Sequence, residues 1–327
     1  MRHKILGQTD LTISVVGLGC WAFAGGTTWG FQSDSDSMDT IAAARDCGIN
    51  FFDTAEAYGD GYSETVLGKA LKKSRADVIV ASKFNAKSQQ KSDVIEACER
   101  SLQRLQTDYI DLYQIHWPSR DVPFEETMDG LLTLKQQGKI RHIGVCNFGV
   151  KDLSDILKIA DVVTNQLAYN LLWRAIEFEV IPFCREHKVD ILSYSPLAQG
   201  LLSGRFRSAD DVPIGRARTK HFSSERLHTR HGQPGAEALT FGTISVIEAL
   251  AHQLGIPMSR LAISWLFHQT SITSVLSGAR TPKQIQENVA AVDLVLDDET
   301  ILKLDKGTAE LKDKLGTNPD MWSDRMR

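Results

Sequence analysis

Short apolar runs alternate with longer segments of helical spacing along most of the chain. Within the runs the hydrophobic residues are adjacent rather than alternating, which is typical of parallel strands that helices cover on the outside. The eight runs lie at residues 13–19, 50–53, 78–82, 109–116, 142–146, 163–166, 190–195 and 274–277. The helical segments between them include 37–47, 63–71, 92–105, 124–137, 174–187 and 258–268. This repeat predicts an α/β protein with the (β/α)8 architecture of a TIM barrel.

Local signals support several of the predicted helix ends. Ser63 followed by Glu64 is typical of a helix start, because a serine oxygen accepts from the free N–H groups of the first turn. Gly48 and Gly138 are typical of helix stops, because glycine readily adopts the left-handed conformation that ends a helix. No linker or low-complexity stretch divides the chain, so we expect residues 1–327 to form a single domain.

Three segments do not fit the repeating unit. Residues 3–6 and 12–15 flank a turn at 7–10 and predict an N-terminal β-hairpin, which we expect to plug the barrel from below. The connection 197–239 after the seventh strand has no clear periodicity, and loops of that length usually carry function. The tail after Gly307 is polar but ends in NPDMWSDRMR, where Trp322 is too apolar for a terminus left in solvent.

Composition excludes several classes of protein. Hydrophobic residues make up 42% of 327 residues, and the net charge of −4 combines interspersed charges of both signs, without a basic patch for nucleic acid. No stretch approaches the roughly 18 apolar residues of a membrane span, and the N-terminus lacks a signal core. Five scattered cysteines without a C-x-x-C pair indicate a reducing compartment. We therefore expect a cytoplasmic protein that binds neither nucleic acid nor membrane.

Four ionisable residues fall at the ends of three neighbouring predicted strands. Asp53 ends the second strand and Tyr58 follows it, while Lys83 ends the third and His116 the fourth. The carboxyl ends of barrel strands meet at one mouth, so these side chains should converge. Singly, each residue has a structural explanation, such as packing for the tyrosine. Together, at consecutive strand ends, they indicate a catalytic site.

The four side chains suit one reaction. A free tyrosine has a pKa of about 10, too high for efficient proton transfer at neutral pH. A nearby lysine ammonium lowers that pKa, and a carboxylate holds the lysine in place. A histidine beside the same oxygen can orient a carbonyl or relay a proton. The set predicts protonation of an alkoxide as hydride reaches a carbonyl carbon.

At these residues the sequence resembles the aldo-keto reductase family. GINFFDTAEAYG at 48–59, with the serine, glutamate and glycine at 63, 64 and 68, resembles the family's first signature. LQRLQTDYIDLYQIH at 102–116 is similar to its second, and the resemblance extends from residue 17 to about 288. It implies Tyr58 as general acid/base, Asp53 and Lys83 as the pair that tunes it, and His116 as the residue that orients the carbonyl.

The resemblance also implies a nicotinamide cofactor lying extended across the barrel mouth. Around its nicotinamide ring we expect Gly19, Cys20, Trp21, Asp53, Asn147, Gln166 and Tyr194. Around its pyrophosphate, in the loop after strand seven, we expect Ser195, Pro196, Leu197, Gln199, Gly200, Leu201 and Ser203. At its adenosine end we expect Gly278, Ala279, Arg280, Gln284, Glu287 and Asn288.

The eighth strand departs from one pattern of the family. The lysine-containing IPKS type of signature is absent, and LSGART at 276–281 is more similar to the bacterial sugar, inositol and aldehyde reductase branch. Arg280 is then the remaining partner for a 2′-phosphate, since arginine grips phosphate through two parallel hydrogen bonds. We expect NADP(H) as cofactor, with NAD less favoured, and a small-molecule carbonyl or polyol as substrate.

The resemblance further implies that the C-terminal tail reaches over the mouth. Arg325 or Arg327 would then bond hydroxyls or a carboxylate of the substrate. The alternative is a tail that packs on the outer helices and only anchors the chain end. The expected substrate pocket consists of Trp21, Tyr58, His116, Trp117 and Trp322.

Parts of the sequence are compatible with three other functions. Residues 17–22 fit the dinucleotide fingerprint G-x-G-x-x-A, but FAGGTTWG at 23–30 does not form the helix that this motif must open. A barrel hydrolase with Asp53 and Glu56 as paired carboxylates leaves Tyr58, Lys83 and His116 without a role. A regulatory subunit that senses nicotinamide, with incidental turnover, stays open, because channel-associated relatives resemble the enzymes at the same four positions.

The remaining polar candidates have simpler interpretations. A redox switch at Cys20 and Cys146 is conceivable, but small core residues are the favoured interpretation. His221, His228 and His231 lie in the long loop in no metal-ligand pattern. We therefore expect solvated histidines and no metal site.

Overall fold

The computed structural model describes residues 1–85 and 89–323, and it confirms the predicted (β/α)8 barrel. All neighbouring barrel strands pair in parallel, and the sheet closes between the last strand and the first. A two-stranded antiparallel hairpin, β1 (His3–Ile5) and β2 (Thr12–Ser14), precedes the barrel. The barrel strands are β3 (Val16–Gly19), β4 (Phe51–Asp53), β5 (Ile79–Phe84), β6 (Ile110–Ile115), β7 (Ile140–Cys146), β8 (Thr164–Ala168), β9 (Asp190–Tyr194) and β10 (Ile272–Gly278).

Helices surround the barrel and extend beyond it at the C-terminal end. The α-helices are α1 (Gly26–Trp29), α2 (Asp34–Asp46), α3 (Tyr62–Leu71), α4 (Lys91–Leu105), α5 (Phe124–Gln136), α6 (Val150–Leu157), α7 (Val180–Glu186), α8 (Glu237–Gln253), α9 (Met258–Phe267), α10 (Pro282–Val289), α11 (Asp298–Gly307) and α12 (Ala309–Leu315). In the described part of the chain no single helix is long and apolar enough to cross a membrane. The pair α8 and α9 passes that test only jointly and is bent by 94° between them.

The main hydrophobic core lies between the strands and this outer layer. In α4, Val94, Cys98, Leu102 and Leu105 recur at helical spacing and are all buried. α3 approaches α4 so closely that a Cβ atom at Gly68 would lie 2.7 Å from the Cα of Leu105. Glycine at position 68 therefore permits the two helices to pack over β5 and β6.

The N-terminal hairpin closes the lower end of the barrel, as predicted. Leu6, Leu11 and Ile13 are buried and form one cluster with residues that point into the barrel, such as Phe51 and Leu112. These contacts fill the barrel interior below the polar residues at the opposite end. The plug therefore leaves only the carboxyl-end mouth open for a ligand.

Two predicted elements are divided in the structure. The run 13–19 contains the end of β2 and the start of β3, separated at Val15. The predicted helix 174–187 consists of a 3-10 turn, Ala175–Glu177, followed by α7. The division follows from Pro182, which lacks an N–H group and whose ring would clash with the carbonyl of Phe178 in a continuous helix.

The predicted helix stops are confirmed, and the predicted start at Ser63 is correct to within one residue, but Ser63 does not cap the helix. Gly48 and Gly138 follow α2 and α5 with φ angles of 82° and 73°. α3 begins one residue earlier, after Gly61, and the Ser63 hydroxyl donates instead to the carbonyl oxygen of Cys20 at 2.8 Å. Ser63 thereby ties α3 to the loop after β3, which belongs to the barrel mouth.

The connection after β9 has no α-helix until α8 begins at Glu237, and it is ordered by buried side chains. The prediction of solvated histidines is wrong for His221 and His231, which are both buried. The His221 ring bonds to the carbonyl oxygen of Leu172 and to Thr219, each at 2.9 Å. The loop folds back onto the barrel, so its polar side chains become part of the interior; only His228 is exposed, as predicted.

Candidate active site

The four ionisable residues predicted at strand ends lie together at the barrel mouth. The buried ammonium of Lys83 donates to Asp53 Oδ2 at 2.6 Å and to the Tyr58 hydroxyl at 3.2 Å. Its third bond goes to the carbonyl oxygen of Thr54 at 2.9 Å, so all three N–H groups are used. No described residue accepts a hydrogen bond from the Tyr58 hydroxyl. The phenol proton is therefore available to a ligand in the mouth.

Both carboxylate oxygens of Asp53 accept hydrogen bonds. Its second oxygen accepts from Gln166 on β8 at 2.8 Å and from Gln114 on β6 at 3.5 Å. A buried ion pair is tolerated only when its remaining polar atoms are satisfied, and these two amides satisfy the carboxylate. The carboxylate that pairs with Lys83 is thus fixed by amides on two other strands, β6 and β8.

The loop between β4 and α3 is fixed to the neighbouring strand, which sets the position of Tyr58. The backbone N–H groups of Thr54 and Glu56 donate to the carbonyls of Ala81 and Lys83 on β5, at 2.9 and 3.0 Å. A turn then places Tyr58 above Lys83. The spacing between Asp53 and Tyr58, which resembles that of the family signature, is therefore set by the length of this attached loop.

Glu56 does not pair with Asp53. Its carboxylate faces α4, where it lies 3.4 Å from Arg100 and 3.8 Å from Arg104. Paired carboxylates in a hydrolase must flank one substrate bond. This orientation disfavours the barrel hydrolase.

Two further aromatic rings surround the Tyr58 phenol. The Trp21 indole stacks on the Tyr58 ring at a centroid distance of 5.9 Å, and the His116 imidazole meets it edge-on at 5.7 Å. Tyr58 and His116 are only partly buried, so both remain reachable from the mouth. The pocket above Lys83 therefore has an indole wall and an imidazole wall.

Burial controls the protonation of this site. It raises the pKa of Tyr58 to about 12, although Lys83 acts in the opposite direction, so the prediction of a net lowering is wrong. Burial, helped by the charge of Lys83, lowers the pKa of His116 to about 3. Burial also acts to lower the pKa of Lys83, but Asp53 and then Tyr58 hold it above its ordinary value. At neutral pH the site thus contains a phenol, a neutral imidazole and an ammonium, so Tyr58 carries the proton that a ligand oxygen would take.

The amide and tyrosine expected near a nicotinamide ring are linked to the same site. Asn147, which adopts a left-handed φ of 62°, donates to the carbonyl oxygen of His116 at 3.0 Å. Its side-chain oxygen accepts from the Tyr194 hydroxyl at 2.8 Å. Together with Gln166 on Asp53, these residues form a polar floor beside the tetrad. They lie where a flat carboxamide-bearing ring would meet both donors and acceptors.

The loop after β9 contains polar atoms without partners. Ser195 and Gln199 have positive φ angles of 54° and 56°, and the 3-10 segment Ala198–Ser203 follows the strand. Both amide atoms of the buried Gln199 side chain lack a hydrogen-bond partner, as does the Ser277 hydroxyl on β10. A buried amide without partners costs free energy, which a bound polar ligand recovers. The predicted Pro196, Leu197, Gly200, Leu201 and Ser203 lie in this same loop, so the residues present fit a nucleotide cofactor.

The paired carboxyl ends of β3 and β10 have open space beside them, next to that loop. Gly19 and Gly278 are register partners, and a Cβ atom at either position would meet nothing closer than 3.8 Å. Asn288 of α10 donates to the carbonyl of Gly278 at 3.3 Å. The glycines leave room for a ligand to lie against backbone here.

Arg280 makes a contact that the sequence did not indicate. Its guanidinium donates to the Gln32 side chain at 2.9 Å and to the carbonyl oxygen of Phe31. Its backbone N–H donates to Gln284 Oε1 at 2.8 Å, whereas Glu287 faces Lys283 at 3.8 Å on the outside of α10. Ala279 is buried beside it. Arg280 thus bridges the adenosine end of the expected cofactor site and the loop after β3.

The described part of the C-terminal tail, which ends at Ser323, reaches over the mouth as predicted. Trp322 donates to the Tyr194 hydroxyl at 3.0 Å and meets Trp21 edge-on at 6.1 Å, while Met321 is buried against Trp173. Trp117 lies farther back, packed on the main core. The predicted roles of Arg325 and Arg327 fall outside the described residues.

Cys20 and Cys146 are buried near the tetrad. Burial raises the pKa of both thiols, so they stay protonated. All five cysteines are free. The interpretation as small core residues fits these positions better than a redox switch.

Two residues of the mouth were missed from the sequence. Gln114, which bonds Asp53, shows a weak signal as a polar residue inside an apolar strand. Arg218 lies over the rings of Trp21 and Trp322 at 5.6 and 5.1 Å. It belongs to the aperiodic loop, where no pattern indicates which side chains return to the mouth.

Comparisons with known proteins agree with this geometry. The NADH-specific methylglyoxal reductase of Escherichia coli (strain K12) is 37% identical over 330 residues, covering 91% of this chain and 95% of that protein. The aldo-keto reductase YhdN of Bacillus subtilis (strain 168) is 36% identical over 301 residues, covering 88% and 87%. The crystal structure of an aldo-keto reductase from Klebsiella pneumoniae in complex with NADPH superposes with a TM-score of 0.74 at 29% identity, covering 94% and 95%.

The barrel and the residues at its mouth match one protein family. The sequence profile of the Aldo/keto reductase family matches residues 15–308, which include all eight barrel strands and the four ionisable residues at the mouth, Lys83 among them. This chain belongs to the aldo/keto reductase family.

Proposed function

We propose that the protein is an NADP(H)-dependent oxidoreductase acting on an aldehyde, ketone or sugar carbonyl, or on the corresponding alcohol. The observation that carries the proposal is the Tyr58 hydroxyl, which accepts a bond from the buried Lys83 and keeps its proton for a ligand. The protonated phenol beside a neutral imidazole supports the same reaction. Relatives that are named as carbonyl reductases, such as the methylglyoxal reductase, support carbonyl compounds as the substrate class.

Tyr58 acts as the general acid in the reductive direction. The substrate oxygen accepts hydrogen bonds from the Tyr58 hydroxyl and from the neutral His116, which aligns the carbonyl above the Trp21 wall. Tyr194 would hold a nicotinamide ring, whose chemistry when bound would be to supply hydride to the carbonyl carbon. As the C=O π bond breaks, the oxygen takes the phenol proton, and the product is an alcohol. The phenolate is stabilised by Lys83 until solvent returns the proton.

The residues proposed to hold the cofactor are those of the polar floor, the loop after β9 and the carboxyl ends of β3 and β10. Asn147 and Gln166 bind the carboxamide, and Gln199 and Ser277 gain the partners that they lack. NADP(H) is the favoured form, since Arg280 lies at the adenosine end and one structural neighbour was solved with NADPH. NAD(H) is less favoured, although one relative is named NADH-specific.

A cofactor and substrate screen tests this proposal. The purified protein is offered aldehydes, ketones, aldoses, ketoses and inososes with NADPH or NADH, and cofactor oxidation is followed by absorbance. We expect turnover of at least one carbonyl class and a preference for NADPH. Tight NADPH binding without turnover of any carbonyl would instead support the nicotinamide-sensing regulatory subunit.

The rate of carbonyl reduction is expected to be flat between about pH 5 and pH 9. With the pKa of Tyr58 at about 12 and that of His116 at about 3, the phenol keeps its proton and the imidazole stays neutral throughout. Alcohol oxidation needs Tyr58 as the phenolate, which takes the alcohol proton, so its rate should rise with pH as the phenolate fraction grows. The measurement is kcat at saturating cofactor in both directions. A step in the reductive profile near pH 6.5, the ordinary histidine pKa, would argue against a neutral His116.

Replacing Arg280 with alanine is expected to raise the Kd of NADPH at least about tenfold more than the Kd of NADH. Only NADPH has the 2′-phosphate, and hydrogen bonds to charged groups are among the strongest. Both constants follow from quenching of tryptophan fluorescence.

Gln32→Ala is the matched control for Arg280→Ala. It removes the side-chain contact between Arg280 and the loop while keeping the guanidinium and its bond to the Phe31 carbonyl, so it tests the phosphate contact apart from this attachment to the loop. The control should leave the ratio of the two Kd values close to that of the wild type. Equal losses for NADPH and NADH in Arg280→Ala would show that Arg280 does not discriminate between them.

A further inference from the structure

Arg218 occupies an unusual position at the mouth. Its guanidinium lies 5.6 Å above the Trp21 ring and 5.1 Å from the Trp322 ring, so two indoles fix its plane. The Trp21 ring also stacks on Tyr58. One aromatic ring thus connects the proposed proton donor with this arginine, and a substrate held at Tyr58 can extend along Trp21 toward Arg218.

The charge of Arg218 has no counter-ion among the described residues. Its Nε is buried and lacks a hydrogen-bond partner. Other arginines of the same loop differ, since Arg207 pairs with Glu248 at 2.6 Å and Arg226 pairs with Glu237 at 2.6 Å. Burial and the neighbouring Arg230 lower the pKa of Arg218, which an anionic ligand would reverse. A partly buried guanidinium without a carboxylate partner costs free energy, unless a bound ligand supplies the missing hydrogen-bond acceptors.

Arg218 also lines a cavity of about 300 Å³ beside the mouth. Hydrogen-bond donors and potential cations dominate its wall, and among the described lining residues there is no aspartate or glutamate. His228 adopts a left-handed φ of 71°, a strained conformation for a non-glycine residue, and its position on this wall is consistent with a functional constraint. The polar lining residues are Thr27, Thr28, Arg218, His228, Thr229 and Arg230.

We propose that this cavity binds an anionic group of the substrate, with Arg218 as the residue that determines specificity for it. The substrate is then a carbonyl compound with a carboxylate or a phosphate a few carbon atoms from the reacting carbon. An arginine has donors and no acceptors, so it selects an anion over a neutral hydroxyl group. This inference rests on the proposed function and narrows its substrate class.

Matched substrate pairs test the inference by turnover. Succinic semialdehyde is compared with butanal, and glyceraldehyde 3-phosphate with glyceraldehyde, so that the two arms separate carboxylate from phosphate. In the wild type we expect kcat/KM to favour the charged member of at least one pair by about tenfold or more. Arg218→Gln should reduce that preference by about 10- to 100-fold, chiefly through KM, and Arg218→Lys should restore part of it.

Arg207→Gln is the matched control, because it removes the same charge from the same loop at an exposed ion pair. It should keep the preference for the charged substrate. Equal losses for charged and neutral substrates in Arg218→Gln would assign Arg218 to packing of the two indoles and would overturn the inference. A wild type that favours neither member of either pair would overturn it as well.

A binding measurement separates failure of this inference from failure of the proposed function. Succinate and inorganic phosphate are titrated into the protein while the fluorescence of its tryptophans, two of which contact Arg218, is recorded. Saturable quenching that Arg218→Gln abolishes and Arg207→Gln retains supports the anion site even if no carbonyl is reduced, in which case only the proposed reaction fails. Absence of saturable quenching by either anion overturns the inference, whether or not a carbonyl is reduced.

Discussion

Replacing Tyr58 with phenylalanine is expected to lower kcat for carbonyl reduction by about 10²–10⁴. The phenol accepts a hydrogen bond from Lys83 and holds a proton that it donates to no described residue. His116 does not replace it, because burial lowers its pKa to about 3 and the imidazole is neutral at working pH. Phenylalanine keeps the ring between Trp21 and His116, so cofactor affinity and thermal stability should change little.

The measurement for Tyr58→Phe is single-turnover reduction at saturating cofactor, together with the Kd of NADPH. Tyr62→Phe is the matched control, since Tyr62 lies only four residues away but is exposed and bonded to Asp34. The control should keep the wild-type rate. A Tyr58→Phe variant within tenfold of the wild-type kcat would remove Tyr58 from the role of general acid.

Replacing Lys83 with methionine is expected to reduce both stability and turnover. The free energy of unfolding should fall by about 3–5 kcal/mol, because Asp53 would remain buried without its cation. Turnover should fall as well, because the phenolate formed at Tyr58 loses the ammonium at 3.2 Å that stabilises it. Urea unfolding and steady-state kinetics measure the two effects.

A double variant separates these two effects of Lys83. In Asp53→Asn/Lys83→Met the charge that was left unpaired is also removed, so much of the stability should return. Turnover should stay low, because no cation faces Tyr58. If Lys83→Met unfolds at the same urea concentration as the wild type, the amides of Gln114 and Gln166 alone satisfy Asp53, and the ion pair is not required for stability.

The barrel and its four mouth residues were predictable because the information is local. Adjacent hydrophobic residues in short runs, followed by helical spacing, specify buried parallel strands with outer helices within windows of a few residues. Parallel strands place their carboxyl ends on one side, so Asp53, Lys83 and His116 had to converge once eight units were recognised. Gly48 and Gly138 ended helices as predicted, because a left-handed residue at a helix end is also a local property.

What sequence by itself determined about this protein is thus its architecture, its family and the residue types at the mouth. Only the tertiary structure decided quantities that depend on burial and on contacts between distant segments. The pKa of Tyr58 rises because desolvation outweighs Lys83, a balance that no spacing encodes. His221 became buried and Arg218 came to lie against both Trp21 and Trp322 because an aperiodic loop and the tail fold back onto the barrel. Such loops are placed by long-range packing, which has no periodic signature in the chain.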